Sequence, residues 1–369
     1  MTNLLLLTIP TVEPLDLWQK CISSFSPSLI KSSALALVVY NGPDITVPSE
    51  YSYPHVIKLG FKDSKCIAQK FADIADCSEE LLFGKQEYGR SYGGAANLLL
   101  ALAHALGAST IGKIDDDCLE FEPRPSPWLF IAARDLRKDT IHFGPYIGQP
   151  TGFLHEFDET TSSQLQKYIY GTQDQKNHPV RPHLDTPRMK NGNLVFPVNA
   201  THTAPYPVLY DSRTHIHARG EVYYWASELG EHGFTFKYED LLKIRHSGST
   251  RNTHATWIHS LVLAFDLSLV HRTYVAKGKR PTLSERHKAI LRFKSWILNT
   301  QWPKDVIVEK LAKLLDEAAI DFTENFYSNL PKRKLAWEHL MQADLAACLE
   351  ELLPEVIQKV RTPSCQFGK

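Results

Sequence analysis

Cysteine is sparse and unpatterned in this chain. Cys21, Cys66, Cys77, Cys118, Cys348 and Cys365 are the only six in 369 residues, and no two are spaced as Cys-x-x-Cys. That spacing argues against a disulfide framework or a zinc module and predicts reduced thiols in a cytoplasmic protein. Net charge is missing too. Lys plus Arg and Asp plus Glu number 41 each, so no global basic surface predicts a nucleic-acid partner. Long apolar runs are also absent. Leu4-Leu5-Leu6-Leu7 is too short for a signal peptide and lacks a basic stretch before it, and no run reaches membrane-spanning length. What is left is an ordinary soluble composition, 43% hydrophobic, in a chain long enough for one large domain with a smaller one, or for two domains.

Against this background one cluster stands out. Asp115, Asp116 and Asp117 follow the apolar run that ends in Ile111-Gly112-Lys113-Ile114. Adjacent carboxylates repel one another, and a fold that crowds them usually supplies a cation. Oxygen ligands of this kind suit Mg²⁺ or Mn²⁺, with phosphate oxygens completing the coordination. The plain alternative is a solvated acidic turn.

The first third of the chain alternates strand and helix signals. Leu4 to Ile9 reads as a buried strand ended by Pro10, Leu15 to Phe25 as a helix, and Ala34 to Tyr40 as a second strand stopped by Asn41-Gly42-Pro43. Val56 to Leu59 reads as a third. Gly93-Gly94 opens a helix through Leu106 with Gly107 as its stop, and Ala108 to Ile114 is the strand that delivers the aspartates. Ligands bind at the carboxyl ends of strands in open α/β sheets, so the triad stands where a site is expected. The stretch from Pro123 to Pro207 is irregular, with short strands at Thr140 to Phe143 and Leu194 to Val198. A helix from Glu221 to Gly233 and a strand at Phe234-Thr235-Phe236 follow. From about Trp257 the pattern is all-helical, with a capping box at Thr282 to Glu285 and Pro303 and Pro331 placed as helix starts.

The order Thr8-Ile9-Pro10-Thr11, Val38-Val39-Tyr40-Asn41-Gly42, then Gly93-Gly94-Ala95-Ala96-Asn97 leading into the aspartates resembles the nucleotide-sugar half of GT-A glycosyltransferases, most of all the family-2-type group. Asn191-Gly192-Asn193 resembles that group's acceptor-side element. Arg219-Gly220-Glu221 with Trp225 and Leu229 resembles its acidic helix, and Arg245-His246 through Arg251 its late His-containing loop. The match spans residues 1–255. It implies an α/β GT-A mixed sheet flanked by helices; the all-helical region 256–369 lies outside the match and reads as a C-terminal extension for acceptor, membrane or oligomer contacts.

The resemblance also implies roles. A DXD-type motif at Asp115–Asp117 would hold Mn²⁺ or Mg²⁺, with Asp117 the direct ligand, Asp115 sharing metal and ribose, and His246 a third ligand. Thr8, Pro10, Thr11, Tyr40 and Asn41 would line the nucleoside pocket, where Tyr40-Asn41 replaces the usual acid and leaves the base open. Arg90, Asn97, Asp116, Arg245 and Arg251 would contact the donor, and Asn193 and Trp225 the acceptor side. The usual Glu-Asp pair reads Glu221-Val222 here. Either Glu221 is the catalytic base, or the enzyme is retaining and needs none, or activity is lost.

The expected activity is transfer of a hexose-type sugar from a nucleotide diphosphate to a hydroxyl acceptor. A non-catalytic sugar-nucleotide-binding subunit is the alternative. A sugar-1-phosphate nucleotidyltransferase ranks lower, because Thr8 to Val12 lacks the glycine-rich signature that class carries. Basic residues outnumber acids across 272–296, which reads first as a solvated face or one that meets an acidic partner, and as the alternative a peripheral membrane contact. The later leucine-rich helices predict a small bundle or a homo-oligomer contact.

Overall fold

A computed structural model describes residues 5–11, 15–31, 34–40, 56–84, 92–120, 138–148, 164, 192–211, 216–217, 221–246, 254–299 and 308–361. Its centre is a seven-stranded mixed sheet. The strands are β1 (Leu5–Thr11), β2 (Leu35–Tyr40), β3 (Val56–Leu59), β4 (Thr110–Ile114), β6 (Thr140–Phe143), β8 (Asn193–Pro197) and β11 (Thr235–Tyr238), in the order β11-β6-β8-β4-β1-β2-β3. The run β3-β2-β1-β4 is parallel, and β8 enters antiparallel between β4 and β6. Shorter strands β5 (Cys118–Glu120), β7 (Tyr146–Gly148) and β12 (Ile244–His246) form a second sheet, and β9 (Tyr210–Asp211) pairs with β10 (Ile216–His217).

Helices cover both faces. Helix α1 (Leu15–Lys31) carries buried Cys21, Ile22, Phe25 and Leu29. The opposite face takes α2 (Phe61–Ile74), α3 (Glu79–Phe83) and α4 (Tyr92–Ala105), whose residues join Leu35, Leu37, Val39 and Ile111 in the main core. Burial on both faces explains why β2 reads as a continuous apolar run rather than an alternating one. Helix α4 is apolar around its whole circumference because the sheet lies on one side and C-terminal helices on the other. Gly93 and Gly94 are required there by close approach. A Cβ on Gly93 would stand 2.0 Å from the Pro207 carbonyl oxygen, and one on Gly94 2.1 Å from that of Phe83. Gly107, at φ 72°, ends the helix region in the left-handed conformation expected of a C-terminal stop.

After the short α5 (Asn199–Thr203) and α6 (Glu221–Glu231), every described element from residue 254 on is helical: α7 (His254–Lys277), α8 (Leu283–Asn299), α9 (Val308–Gln342), α10 (Leu345–Leu352) and α11 (Pro354–Arg361). The cores do not divide where the sequence changes character. Trp337, Leu340, Leu345, Leu349 and Ile357 belong to the main core with the sheet. Leu261, Phe265, Ile290, Phe293 and Phe322 form a second core, which also takes Leu209 and Tyr224 from the α/β part.

Several expectations need correction. Pro10 lies inside β1, in register with Val39, instead of ending the strand. Helix α1 continues past Phe25 to Lys31, through Pro27, because Leu29 still has core to fill. Pro331 does not start a helix. It sits within α9, whose upstream half packs in the second core through Phe326 and whose downstream half packs in the main core through Trp337, so burial on both sides outweighs the lost N–H. Pro303 lies outside the described residues. The capping box is present: Thr282 N–H donates to Glu285 at 2.7 Å and Glu285 N–H to the Thr282 hydroxyl at 3.3 Å.

The basic stretch of 272–296 is not one amphipathic surface. Ile290 and Phe293 are fully buried, and the Arg286 guanidinium is enclosed, donating to Asp266 at 3.0 Å and also to Glu324. Lys277, Lys279, Arg280, Lys288 and Arg292 remain exposed. No described helix is long and apolar enough to cross a membrane.

Candidate functional site

The aspartates emerge at the carboxyl end of β4, near the middle of the sheet. Parallel register places Thr8 of β1 beside Lys113 and Thr11 beside Tyr40 of β2, so the carboxyl ends of β1, β2 and β4 open together. The turn after β4 is closed by Cys118 N–H donating to the Asp115 carbonyl at 3.1 Å. Helix α1 buttresses it from behind. The Cys21 thiol lies 3.8 Å from the same carbonyl oxygen, and Ser24 accepts from Glu120 N–H at 3.0 Å while Ser28 donates to the Glu120 carboxylate. Asp117 is buried; Asp115 and Asp116 are half-buried. The Cys21 thiol is pushed well up, first by burial and then by the charges of Asp116, Asp117 and Asp115.

Strand β12 runs antiparallel to β5, so the main chain of His246 pairs with Cys118 and that of Arg245 with Leu119. A residue type expected to bind metal is thus one step from Asp117, although the His246 side chain is outside what the structure describes. Arg245 is exposed. The Cys118 thiol contacts the Gly192 carbonyl oxygen at 3.9 Å, which brings Gly192 beside the triad; Asn191 lies outside the described residues.

Sequence reasoning missed three residues of the site. Lys113 is 1% exposed, and its Nζ lies 3.0 Å from the Tyr92 hydroxyl. The Tyr92 hydroxyl also bonds to Asp115 Oδ1. Lys113 sits 4.5 Å from the Tyr92 ring centroid and 5.9 Å from that of Tyr206, which supports a buried cation by cation–π attraction. Burial lowers its pKa to about 8, opposed by the charges of Asp115 and Glu221. Burial raises the Tyr206 phenol, helped by the same two carboxylates. Glu221, buried at the start of α6, acts on Lys113 and Tyr206 in the same sense as Asp115, from a distant part of the chain. The one available signal was a lysine inside an otherwise apolar strand.

Three expected site residues have structural work instead. Asn97 is fully buried. Its amide donates to the carbonyls of Leu82 at 2.7 Å and Tyr206 at 3.0 Å, and accepts from Tyr206 N–H at 2.7 Å, which withdraws it from donor contact. Asn193 is fully buried and donates to the Leu242 carbonyl at 2.7 Å, tying β8 to the segment before β12. Trp225 is in the main core, stacked on Tyr206 at 4.4 Å, with its indole N–H on the Ala204 carbonyl at 3.0 Å; no face is left for an acceptor. Thr8, Pro10, Thr11 and Tyr40 are placed by backbone only. Asn41, Arg90 and Arg251 lie outside the described residues.

Among the described residues no three His, Cys, Asp or Glu side chains converge as a complete metal cage. Two carboxylates at a strand end nevertheless fit Mg²⁺ or Mn²⁺ in a substrate-dependent site, because these ions keep positions for water and phosphate.

No protein-family model matches the chain, and no curated protein matches it. Solved structures do align. Glucosyl-3-phosphoglycerate synthase from Mycobacterium tuberculosis, in complex with Mn²⁺, UDP-glucose and phosphoglyceric acid, is 14% identical over 73% of this chain and 80% of that one, with a TM-score of 0.42. Mannosyl-3-phosphoglycerate synthase from Rubrobacter xylanophilus is 14% identical over 76% of each chain, at 0.43. A mannosyltransferase from Pyrobaculum calidifontis, in complex with GDP-Man and Mn²⁺, is 10% identical over 95% of this chain and 87% of that one, also at 0.43.

Proposed function

We propose that the chain is a metal-dependent GT-A glycosyltransferase that moves a sugar from a nucleotide diphosphate to a hydroxyl acceptor. One observation carries this reading. Asp115, at the end of the central parallel strands, accepts from the Tyr92 hydroxyl beside buried Lys113, and buried Glu221, at the start of α6, adds its charge to that of Asp115 in favouring the lysine's charged form. The first belongs with a donor diphosphate and the second with an acceptor hydroxyl.

In this reading Asp117 and Asp115 would hold Mn²⁺ or Mg²⁺, with His246, whose main chain pairs with Cys118, as a third ligand. When bound, the ion would offset negative charge on the diphosphate leaving group. Arg245, with Arg251 and Arg90, would contact the phosphates. Thr8, Pro10, Thr11, Tyr40 and Asn41 line the nucleoside pocket at the ends of β1 and β2. Glu221 takes the proton of the acceptor hydroxyl as its oxygen bonds to the anomeric carbon and the bond to diphosphate breaks. Asn97, Asn193 and Trp225 shape the scaffold behind these groups.

A non-catalytic, nucleotide-sugar-binding role is the second reading. Val222, where an acid is expected, packs against the main core rather than into the site. Release of nucleoside diphosphate from UDP- and GDP-sugars separates the two. The enzyme reading expects release that EDTA abolishes, that Asp117→Ala abolishes, and that Glu221→Gln slows at least a hundredfold, as loss of a general base does. Donor binding without release supports the subunit reading, and release indifferent to EDTA and to Asp117→Ala sinks the metal site.

A further inference from the structure

Helix α9 carries a buried cation for which the described residues supply no counter-charge. Arg333 is 5% exposed and stands beside the end of α3. Its Nε donates to the Leu81 carbonyl at 3.1 Å, and its guanidinium carbon lies 5.2 Å from the Phe326 ring centroid. Its Nη1 is cut off from solvent and has no hydrogen-bond partner. We infer that this guanidinium is a binding site for a small oxyanion, the phosphate or carboxylate group of a free ligand. The inference does not depend on the glycosyltransferase reading and concerns residues that reading does not use.

Two simpler roles leave the geometry unexplained. The first is capping. The Leu81 carbonyl belongs to the last turn of α3, whose acceptors have no partner within the helix, and the adjacent Leu82 carbonyl is likewise met from outside by Asn97. A cap uses one of the five N–H donors of a guanidinium, and a lysine with its head in water would serve as well. The second is packing of the aliphatic stem, which ordinarily leaves the charged end in solvent. Here Nη1 is enclosed. Phe326 attracts the charge through its ring face but offers Nη1 no oxygen.

The neighbouring cations are treated differently. Lys334, the next residue, pairs with Glu228 of α6. Arg286, likewise enclosed, has both Asp266 and Glu324. Burial alone lowers the Arg333 pKa, to about 10, and no carboxylate among the described residues acts against it. A buried charge without a partner is costly, so a chain that pairs Lys334 and Arg286 yet leaves Arg333 open fits a partner from outside. The two terminal nitrogens of a guanidinium form a fork that matches two oxygens of a carboxylate or phosphate. Nη2 is not enclosed as Nη1 is, so the fork is reached from that side. An oxyanion there would give Nη1 its acceptor and balance the charge. It would also brace α9 against α3 where α9 passes from the second core, at Phe326, to the main core, at Trp337.

The test uses the full chain in EDTA, which silences a metal-dependent diphosphate site. Inorganic phosphate, acetate and chloride are titrated at equal ionic strength, with calorimetry and melting temperature as readouts. Phosphate or acetate is expected to bind the unchanged protein and to raise its melting temperature saturably, by about 3 °C or more, while chloride does not. Response to phosphate alone supports a phosphoryl ligand, and response to acetate alone a carboxylate one. Arg333→Met keeps the stem and removes the charge. It should be at least as stable in chloride and lose the saturable response. Phosphate also stabilises proteins by exclusion from their surfaces, and that unsaturable part should persist in the variant. If Arg333→Met does not fold, Arg333→Lys carries the test: a point charge without the fork should bind roughly tenfold more weakly. The inference is overturned if the unchanged protein binds neither phosphate nor acetate, or if a folded variant binds them as tightly as the unchanged protein. A Met variant of much lower stability, with no anion response in the unchanged protein, would reduce Arg333 to a cap on α3.

Discussion

Asn97 and Tyr206 clasp each other across 109 residues of chain through two hydrogen bonds, at 3.0 and 2.7 Å, as two strand residues would. A third bond from the same amide, at 2.7 Å, holds Leu82. One side chain thereby locks α4 to the segment that carries Tyr206 into the site and to the end of α3. Asn97→Ala leaves three buried backbone groups without partners and should cost about 2–4 kcal/mol, on the order of 1 kcal/mol or more for each. Urea denaturation measures this. A variant of unchanged stability but lost nucleotide binding would return Asn97 to the donor site.

The glycine pair before it gives a second prediction. A Cβ at Gly94 would meet the main chain of Phe83, at 2.1 Å from the oxygen and 2.4 Å from the carbon, and backbone cannot swing aside as a side-chain end can. Gly94→Ala should therefore fail to fold or lose at least about 3 kcal/mol, beyond the ordinary cost of overpacking. Gly107→Ala meets nothing within 4 Å and pays only for its positive φ, about 1 kcal/mol. The ratio of soluble yields and melting temperatures for the two variants checks the difference.

In the second core, Arg286 donates to Asp266 at 3.0 Å, and both side chains are enclosed. Asp266→Ala strands a buried guanidinium, which Glu324, half-exposed, only partly compensates. A loss of about 3–5 kcal/mol is expected. Replacing both partners, as Asp266→Leu with Arg286→Met, should recover most of it. If the double variant is as unstable as the single one, the ion pair specifies the helix arrangement beyond its own charge balance.

Acid should weaken the fold through its histidines. His104 Nδ1 and His202 Nε2 lie 2.9 Å apart, a distance that needs one ring nitrogen to accept. Burial lowers both pKa values below 6.5, and the charge of His202 lowers His104 further. The unfolded chain then binds more protons than the folded one as pH drops below 6.5, so stability falls with pH across that range. His142, also lowered by burial against the opposing pull of Glu239, acts in the same direction. Melting temperatures at pH 7.5 and 5.5 should show the drop, and His202→Gln should shrink it. A flat profile between those two values contradicts it.

Much of the α/β frame was legible because its signals are local. The apolar runs at β2 and β4, the helix stop at Gly107 and the capping box at Thr282 each depend on a few adjacent residues. The limits of the helices were less so, since Pro27 and Pro331 sit within helices that tertiary burial sustains. The triad was legible as a candidate site because three adjacent carboxylates are unusual and stand at the carboxyl end of a strand. Asn97, Asn193 and Trp225 were misplaced for one reason. A polar or aromatic residue near a motif looks the same in sequence whether it faces a ligand or a backbone carbonyl from a distant segment. Lys113 and Tyr92 were overlooked because their value lies in contacts 21 and 23 residues apart, which no spacing rule displays.

The measurement that bears most directly on the central claim is calorimetric titration of UDP and GDP into the protein, with Mn²⁺ and with EDTA, repeated for Asp117→Ala. The account predicts that one nucleotide binds in Mn²⁺ and that EDTA or Asp117→Ala each abolish the binding. Binding that persists in EDTA and in Asp117→Ala, or no binding of either nucleotide under any condition, would contradict it.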